Sequence, residues 1–433
     1  MKALLFEANA PRYLAARAVS LVAGSGKAAG IGPLRLADVA PPLLPGPNWY
    51  MVKPSLAGIC GSDLSTLDGA SSRYFEDLVS MPFVPGHEVV GTISAGSAGN
   101  DEAMANASLR PGTRVVVEPV LSCVPRGVEP PCAACQAGLT ERCEMVAFGH
   151  LSPGIQIGYC ADTGGGWSMA GLVAHESQLH PLPEEMTDED AVMVEPAACA
   201  IHAARCASVP EGSDVVVIGA GTLGLLVTAA LVAFRSPGSI TVGARYEHQG
   251  ALAVELGADR AVRPTELLRA VRRRSSSFVV SRHLSSGADT VFDCVGSAES
   301  IAQAISLVRP GGEVVLLGMP AAVRLDLAPL WHREVRLRGA YAYGTERQKG
   351  ERSSSEEDGR GVRTFELAIA LASKARLGRL VSARYPIERF DEAIAHAGSA
   401  GRLGAVKVVF DLRRSSVAKG ATRRQGDSKG TTP

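Results

Sequence analysis

Net charge is what this sequence lacks: 44 Lys and Arg stand against 44 Asp and Glu over 433 residues. With no net field, neither nucleic acid nor an acidic surface has an electrostatic claim on the chain. Long apolar runs are missing too. None reaches the roughly 20 residues that a membrane span needs. The opening MKALLFEANAPRY has no basic segment leading into an apolar stretch, so a cytoplasmic protein with no membrane partner is expected. Nine cysteines are present, but four crowd between positions 123 and 143 around a Cys-x-x-Cys. Without an export signal, metal ligation explains them better than disulfides.

What is there reads as a soluble globular protein, 46% hydrophobic and 20% charged. Its length exceeds one ordinary core, so two domains are expected. From 186 to 345, β-branched runs alternate with helix-like stretches: VVVIG at 215–219, SITV at 239–242, TVFDCVG at 290–296 and EVVLLG at 313–318. This is the pattern of an α/β fold, a doubly wound parallel sheet. Residues 1–185 hold short strand candidates such as RVVVEPV at 114–120 between Gly- and Pro-rich segments, a β-rich domain. Residues 346–412, with helices at 365–375 and 390–397 and a strand at 405–410, fit no further βαβ unit and are expected to return to the first domain. The tail 413–433 has no apolar periodicity and reads as disordered. RRRSSS at 272–277 and ERSSSEEDGR at 351–360 read as surface loops.

Gly219-Ala-Gly221-Thr222-Leu223-Gly224 follows one strand and opens a helix, the context that the G-x-G-x-x-G dinucleotide fingerprint requires. Gly219 makes the tight turn, Gly221 lets the backbone approach a pyrophosphate, and Gly224 lets helix pack on strand. The acid that binds an NAD ribose is missing from the end of the next strand, where Ala244 and Arg245 stand. That pair removes repulsion of a 2′-phosphate and supplies a cation, which favours NADP over NAD. Asp293 comes too late in the chain for the ribose role.

Gly58-Ile-Cys60-Gly-Ser62-Asp63 and Gly86-His87-Glu88-Val-Val-Gly91 set a thiol, an imidazole and a carboxylate on glycine-flanked turns. Zinc accepts all three. Glu195, in Val-Glu-Pro where the chain enters the nucleotide domain, offers a second carboxylate.

In this order GICGSD, GHEVVG, the EP segment, GAGTLG and RPGGEVVLLG resemble the zinc-containing medium-chain dehydrogenases, particularly the sorbitol, threonine and glucose dehydrogenase branch. The resemblance implies a GroES-like catalytic domain joined to a Rossmann domain. It implies catalytic zinc on Cys60 and His87, with Glu88 and Glu195 competing to bind it directly or through water, Ser62 in the proton relay, and Asp63 supporting His87. It implies hydride transfer between NAD(P) and a small alcohol, polyol or carbonyl substrate, in a homodimer or homotetramer. Cys132-x2-Cys135-x7-Cys143 fits the last three ligands of the family's second, structural zinc. The first ligand is displaced to Cys123, with eight residues between it and Cys132. Four thiolates still make a closed site feasible.

Cys160, Cys199, Cys206 and Cys294 have no ligand-like spacing and read as buried thiols, and His202 as a packed helical histidine. Segments 66–78 and 164–171, with Ser72, Arg73 and Trp167, are expected to line the substrate pocket. The rival readings are a zinc-free quinone or enoyl reductase on the same fold and a non-catalytic zinc or nucleotide-binding protein. The first would not need Cys60 or His87.

Overall fold

The structure, a computed structural model, describes residues 1–96, 108–346 and 361–413. Strands β1 (Lys2–Phe6) and β2 (Leu34–Asp38) form an antiparallel pair with helix α1 (Ala10–Ala23) between them. Strand β3 (Trp49–Gly58) leads into the short helix α2 (Gly61–Leu67) and is flanked by β4 (Val89–Gly96), which pairs in turn with β5 (Arg114–Val117). Strand β6 (Leu172–His175) pairs with the first half of β3, and β7 (Leu179–Pro181) closes the edge beside β5.

After helix α3 (Val194–Cys206) comes a six-stranded, wholly parallel sheet. It contains β8 (Asp214–Ile218), β9 (Ser239–Gly243), β10 (Arg260–Val262), β11 (Ala288–Asp293), β12 (Val308–Leu316) and β13 (Arg336–Gly339), in the spatial order β10-β9-β8-β11-β12-β13. The order reverses between β8 and β11, which opens the crevice where dinucleotides bind in such sheets. Helix α4 (Thr222–Phe234) rises from the β8 turn, and its run TLGLLVTAALVAF, apolar on every side, is buried along most of its length. Helix α5 (Leu267–Arg274) includes Arg272, Arg273 and Arg274 in its last turn. The segment read as a loop is thus partly helical, with three cations at the negative end of the helix dipole.

Helix α6 (Thr364–Lys374) packs on α3, and the chain then adds β14 (Val381–Tyr385) and β15 (Lys407–Asp411) to the first sheet. There β15 runs antiparallel to β3, with Val409 opposite Gly58. One apolar cluster extends from Leu56 and Val116 of the first sheet through α3 and α4 to Val217, so the two sheets share a core at the cleft. Residues 351–360 and 414–433 lie outside the described residues. Arg413, counted with the tail from sequence, is ion-paired to Asp188 at 3.3 Å and Asp411 at 2.9 Å. Among the described residues no helix is long and apolar enough to cross a membrane.

Candidate active site and metal centres

Cys60 caps α2. Its backbone N–H donates to Asp63 Oδ2 at 2.9 Å, so the turn that presents the thiol is tied by the residue that also faces His87, with Asp63 Oδ1 3.5 Å from His87 Nδ1. The approach of the second turn depends on Gly58. A β-carbon there would lie 1.8 Å from Glu88 Oε2 and 2.9 Å from Lys407 Cε. The ligand atoms of Cys60, His87 and Glu88 consequently lie within 4.8 Å of one another. Glu88 is buried and ion-paired with Lys407, whose Nζ also donates to the Ile59 carbonyl at 3.2 Å. Burial pulls the His87 imidazole down, but Asp63 and the Cys60 sulfur more than reverse this and hold it well above the usual histidine value.

Glu195 lies in the first turn of α3 on the same cleft, outside that compact trio. Its Oε1 accepts from the Tyr343 hydroxyl at 3.1 Å, and the Cys199 thiol stands 3.7 Å away. Burial pushes the Glu195 carboxyl up to about 7; His87, Lys407 and Tyr343 work against that rise and Glu88 adds to it. Ser62 lines the cleft. Tyr159, Tyr343 and Lys407 had no signal in sequence. Tyr159 donates to Asp63 at 3.4 Å and meets Thr66 at 3.3 Å, closing the far side of His87. His202 is a packed residue, its Nδ1 2.8 Å from Glu346 Oε1. Cys199 and Cys294, read as ordinary buried thiols, both line the cleft.

The cleft encloses about 1790 Å³ and runs from the turns of Cys60 and His87 to the fingerprint turn, where Gly221, Thr222 and Leu223 line it. Gly219 has φ 94°, and a β-carbon on Gly224 would fall 1.7 Å from the Gly219 carbonyl oxygen, which shows how tightly helix meets strand. Gly221 faces open space. Ala244 is buried just past β9, Arg245 is exposed, and Tyr246 lines the cleft. Asp293 is held by local bonds from the Val295 and Gly296 N–H groups and the Ser300 hydroxyl. Ser72 and Arg73 line the cleft but Trp167 does not: its indole is fully buried, donates to the Gly58 carbonyl at 3.0 Å and packs on Phe410. Trp167 is a core residue because the Gly86 turn rests on its ring.

The four lobe thiols also converge, with Sγ atoms within 4.8 Å of one another. Cys123 and Cys143 are 3.6 Å apart, too far for a disulfide and close to the ~3.8 Å edge of a zinc–thiolate tetrahedron built from ~2.3 Å bonds. The Cys132 and Met145 N–H groups point at the Cys123 and Cys143 sulfurs. Arg126, fully buried, brings Cys123 back to the cluster by donating to the carbonyls of Leu121, Phe148, Leu151, Ser152 and Gly154.

Two family models cover most of this architecture: an alcohol dehydrogenase GroES-like domain at residues 46–184 and a zinc-binding dehydrogenase at 222–354. D-xylulose reductase A of Aspergillus oryzae is 31% identical over 322 residues, 73% of this chain and 81% of the relative. The chain belongs to the zinc-containing medium-chain dehydrogenases. Within this family it is similar to sorbitol dehydrogenase of Arabidopsis thaliana, 29% identical over 86% of this chain and 92% of that one. A zinc-binding dehydrogenase from Sinorhizobium meliloti, solved with NADP, superposes with a TM-score of 0.64 at 26% identity, covering 87% of this chain and 95% of that one. This medium-chain dehydrogenase is an oxidoreductase that exchanges a hydride between an alcohol or polyol and NAD(P).

Proposed function

We propose that Cys60, His87 and Glu88 hold a catalytic zinc, that Glu195 faces it across the cleft, and that the cofactor is NADP. The observation carrying this is the convergence of thiol, imidazole and carboxylate on the cleft that also contains the fingerprint turn. Bound there, zinc would supply Lewis acidity toward the alcohol oxygen, and NADP would supply the hydride acceptor. The residues of the chain do the rest. Asp63 orients His87, Lys407 balances the charge of Glu88, and Tyr343 fixes the Glu195 carboxyl by donating to Oε1. Ser62, on the cleft wall, passes the hydroxyl proton outward. The fingerprint turn and the N-terminus of α4 receive the pyrophosphate, and Arg245 beside the small Ala244 receives the 2′-phosphate. An NADP-bound relative supports that choice.

Cys123, Cys132, Cys135 and Cys143 hold a second zinc that staples the lobe. Homodimer or homotetramer assembly is supported by β13, an edge strand with every residue exposed and, among the described residues, β12 as its only partner in the sheet.

The test combines metal analysis with kinetics. Purified protein should carry two zinc per chain. Cys60→Ala should lose one of them together with alcohol oxidation, and still bind NADP. Full turnover by metal-free protein or by Cys60→Ala would overturn the site.

A further inference from the structure

Between β14 and β15 the chain passes over the nucleotide-binding sheet. Residues 397–402 line the cleft together with Tyr246 and Gln249, which follow β9. The contact between these segments is close. A β-carbon on Gly401 would fall 2.4 Å from Tyr246 Cε2 and 3.0 Å from Gln249 Nε2, so the missing side chain lets them meet. Thr222, the first residue of α4, donates its hydroxyl to the Val406 carbonyl at 3.4 Å. The loop is thereby tied both to the fingerprint helix and to the end of β9, where Ala244 and Arg245 stand in place of a ribose-binding acid.

On either side of the Tyr246–Gly401 contact the adjoining residue is an arginine, Arg245 in one segment and Arg402 in the other. Arg402 sits in the helical turn Ala400–Leu403 and lines the cleft. That turn is held by the Leu403 N–H on the Ser399 carbonyl at 3.1 Å and the Ala405 N–H on the Ala400 carbonyl at 2.8 Å. One guanidinium nitrogen of Arg402 donates to the Ser399 hydroxyl at 3.1 Å, which steers the side chain and leaves its other donors for a ligand. Among the described residues neither Arg245 nor Arg402 is paired with a carboxylate. The carboxylates that line the cleft, Glu7, Glu76, Glu88, Glu141 and Glu195, all precede the nucleotide-binding sheet in the chain. Glu247, next to Tyr246, is exposed and takes no part in the lining. Two guanidinium groups without counter-ions, brought to one contact beside the small Ala244, suit a phosphate dianion better than a ribose hydroxyl.

We propose that Arg402 is a second ligand of the adenosine 2′-phosphate, so that NADP is gripped by Arg245 from the nucleotide-binding sheet and by Arg402 from the metal-binding domain. This rests on the reading of NADP as the cofactor and adds to it a specificity residue lying 157 positions away from the fingerprint strand's arginine in the chain. Cofactor choice is then made by both domains at once, and the 2′-phosphate ties them across the cleft.

The test is a fluorescence titration of the full, zinc-replete chain with NADPH and with NADH. Arg402→Ala should weaken NADPH by about tenfold to a hundredfold, the loss of charge-assisted bonds, and leave NADH where it was. Arg402→Lys keeps the charge without the fork and should fall between the two. In the double variant Arg245→Ala/Arg402→Ala, NADPH should bind no more tightly than NADH. Equal losses for both cofactors in Arg402→Ala would mean that Arg402 meets a group they share or shapes the loop, and would overturn the proposal. Unchanged NADPH affinity in Arg402→Ala, with a loss in Arg245→Ala, would leave Arg245 as the sole cation and overturn it while sparing the NADP reading. Equal affinity of the unaltered protein for both cofactors, unmoved by Arg245→Ala, would strike the NADP reading itself, and this inference with it.

Discussion

Lys407 and Glu88 form a buried ion pair between the last strand of the first sheet and the turn that carries His87. Two charges out of water stand only together, and removing one partner leaves the other uncompensated. Lys407→Met is expected to cost about 3–5 kcal/mol in urea unfolding. The double variant Lys407→Met/Glu88→Gln should recover most of that loss while losing catalytic zinc. A double-mutant cycle reads the coupling; an additive result would show that the pair does not hold the strand in place.

Arg126 is the second buried cation with a defined task. Its guanidinium holds the loop carbonyls that bring Cys123 beside Cys143. Arg126→Met strands several carbonyl oxygens and should cost about 3 kcal/mol or more. Release of the proposed lobe zinc, followed with a chromophoric chelator, should speed up in step. Unaltered release would mean that the thiols hold the loop unaided.

The fingerprint glycines should separate folding from binding. Gly224→Ala drives a methyl into the Gly219 carbonyl and should destabilise the protein by about 3 kcal/mol, with cofactor binding lost. Gly221→Ala meets no atom within 4 Å, so the melting temperature should hold while NADP affinity falls, because the methyl occupies the pyrophosphate approach. Thermal melts with and without NADP distinguish the two.

His175 gives the acid limit of the first domain a named source. Burial, with His150 adding to it, pulls its imidazole from 6.5 down to about 4, and Nδ1 accepts from the Ser177 N–H at 3.2 Å, which requires the neutral ring. The unfolded chain takes up this proton near pH 6.5 while the folded protein resists until about 4. Stability is therefore complete above pH 6.5 and declines as pH falls through that window. His175→Gln should flatten the slope of stability against pH between 4 and 6.5; an identical slope would place the acid sensitivity elsewhere.

The parts legible in the sequence were those whose chemistry is local. GAGTLG carries its strand, turn and helix within a few residues, and GICGSD and GHEVVG set a thiol, an imidazole and a carboxylate on glycine-flanked turns that the fold brings within 4.8 Å of one another. Lys407 could not be read that way. It reaches Ile59 across 348 residues, and Tyr343 reaches Glu195 across 148, so only the closed topology brings them together. Trp167 misled because an indole in a glycine-rich stretch suits a pocket wall as well as a core, and the Gly86 contact decides between them. RRRSSS looked like a loop because arginines at a helix end carry no apolar period. Helix α1 went unread because its single fully buried residue, Ala16, leaves almost no stripe.

The placement of β15 also bears on how the enzyme is made. The last residues of β3, Leu56–Gly58, wait for residues 407–411 before their second edge is covered, and Glu88 has no counter-ion until the same strand arrives. During synthesis the nucleotide-binding sheet is entirely translated before the metal-binding sheet can close. A growing chain would own its dinucleotide crevice and yet present Cys60 and His87 on an unfinished scaffold until residues 407–411 arrive.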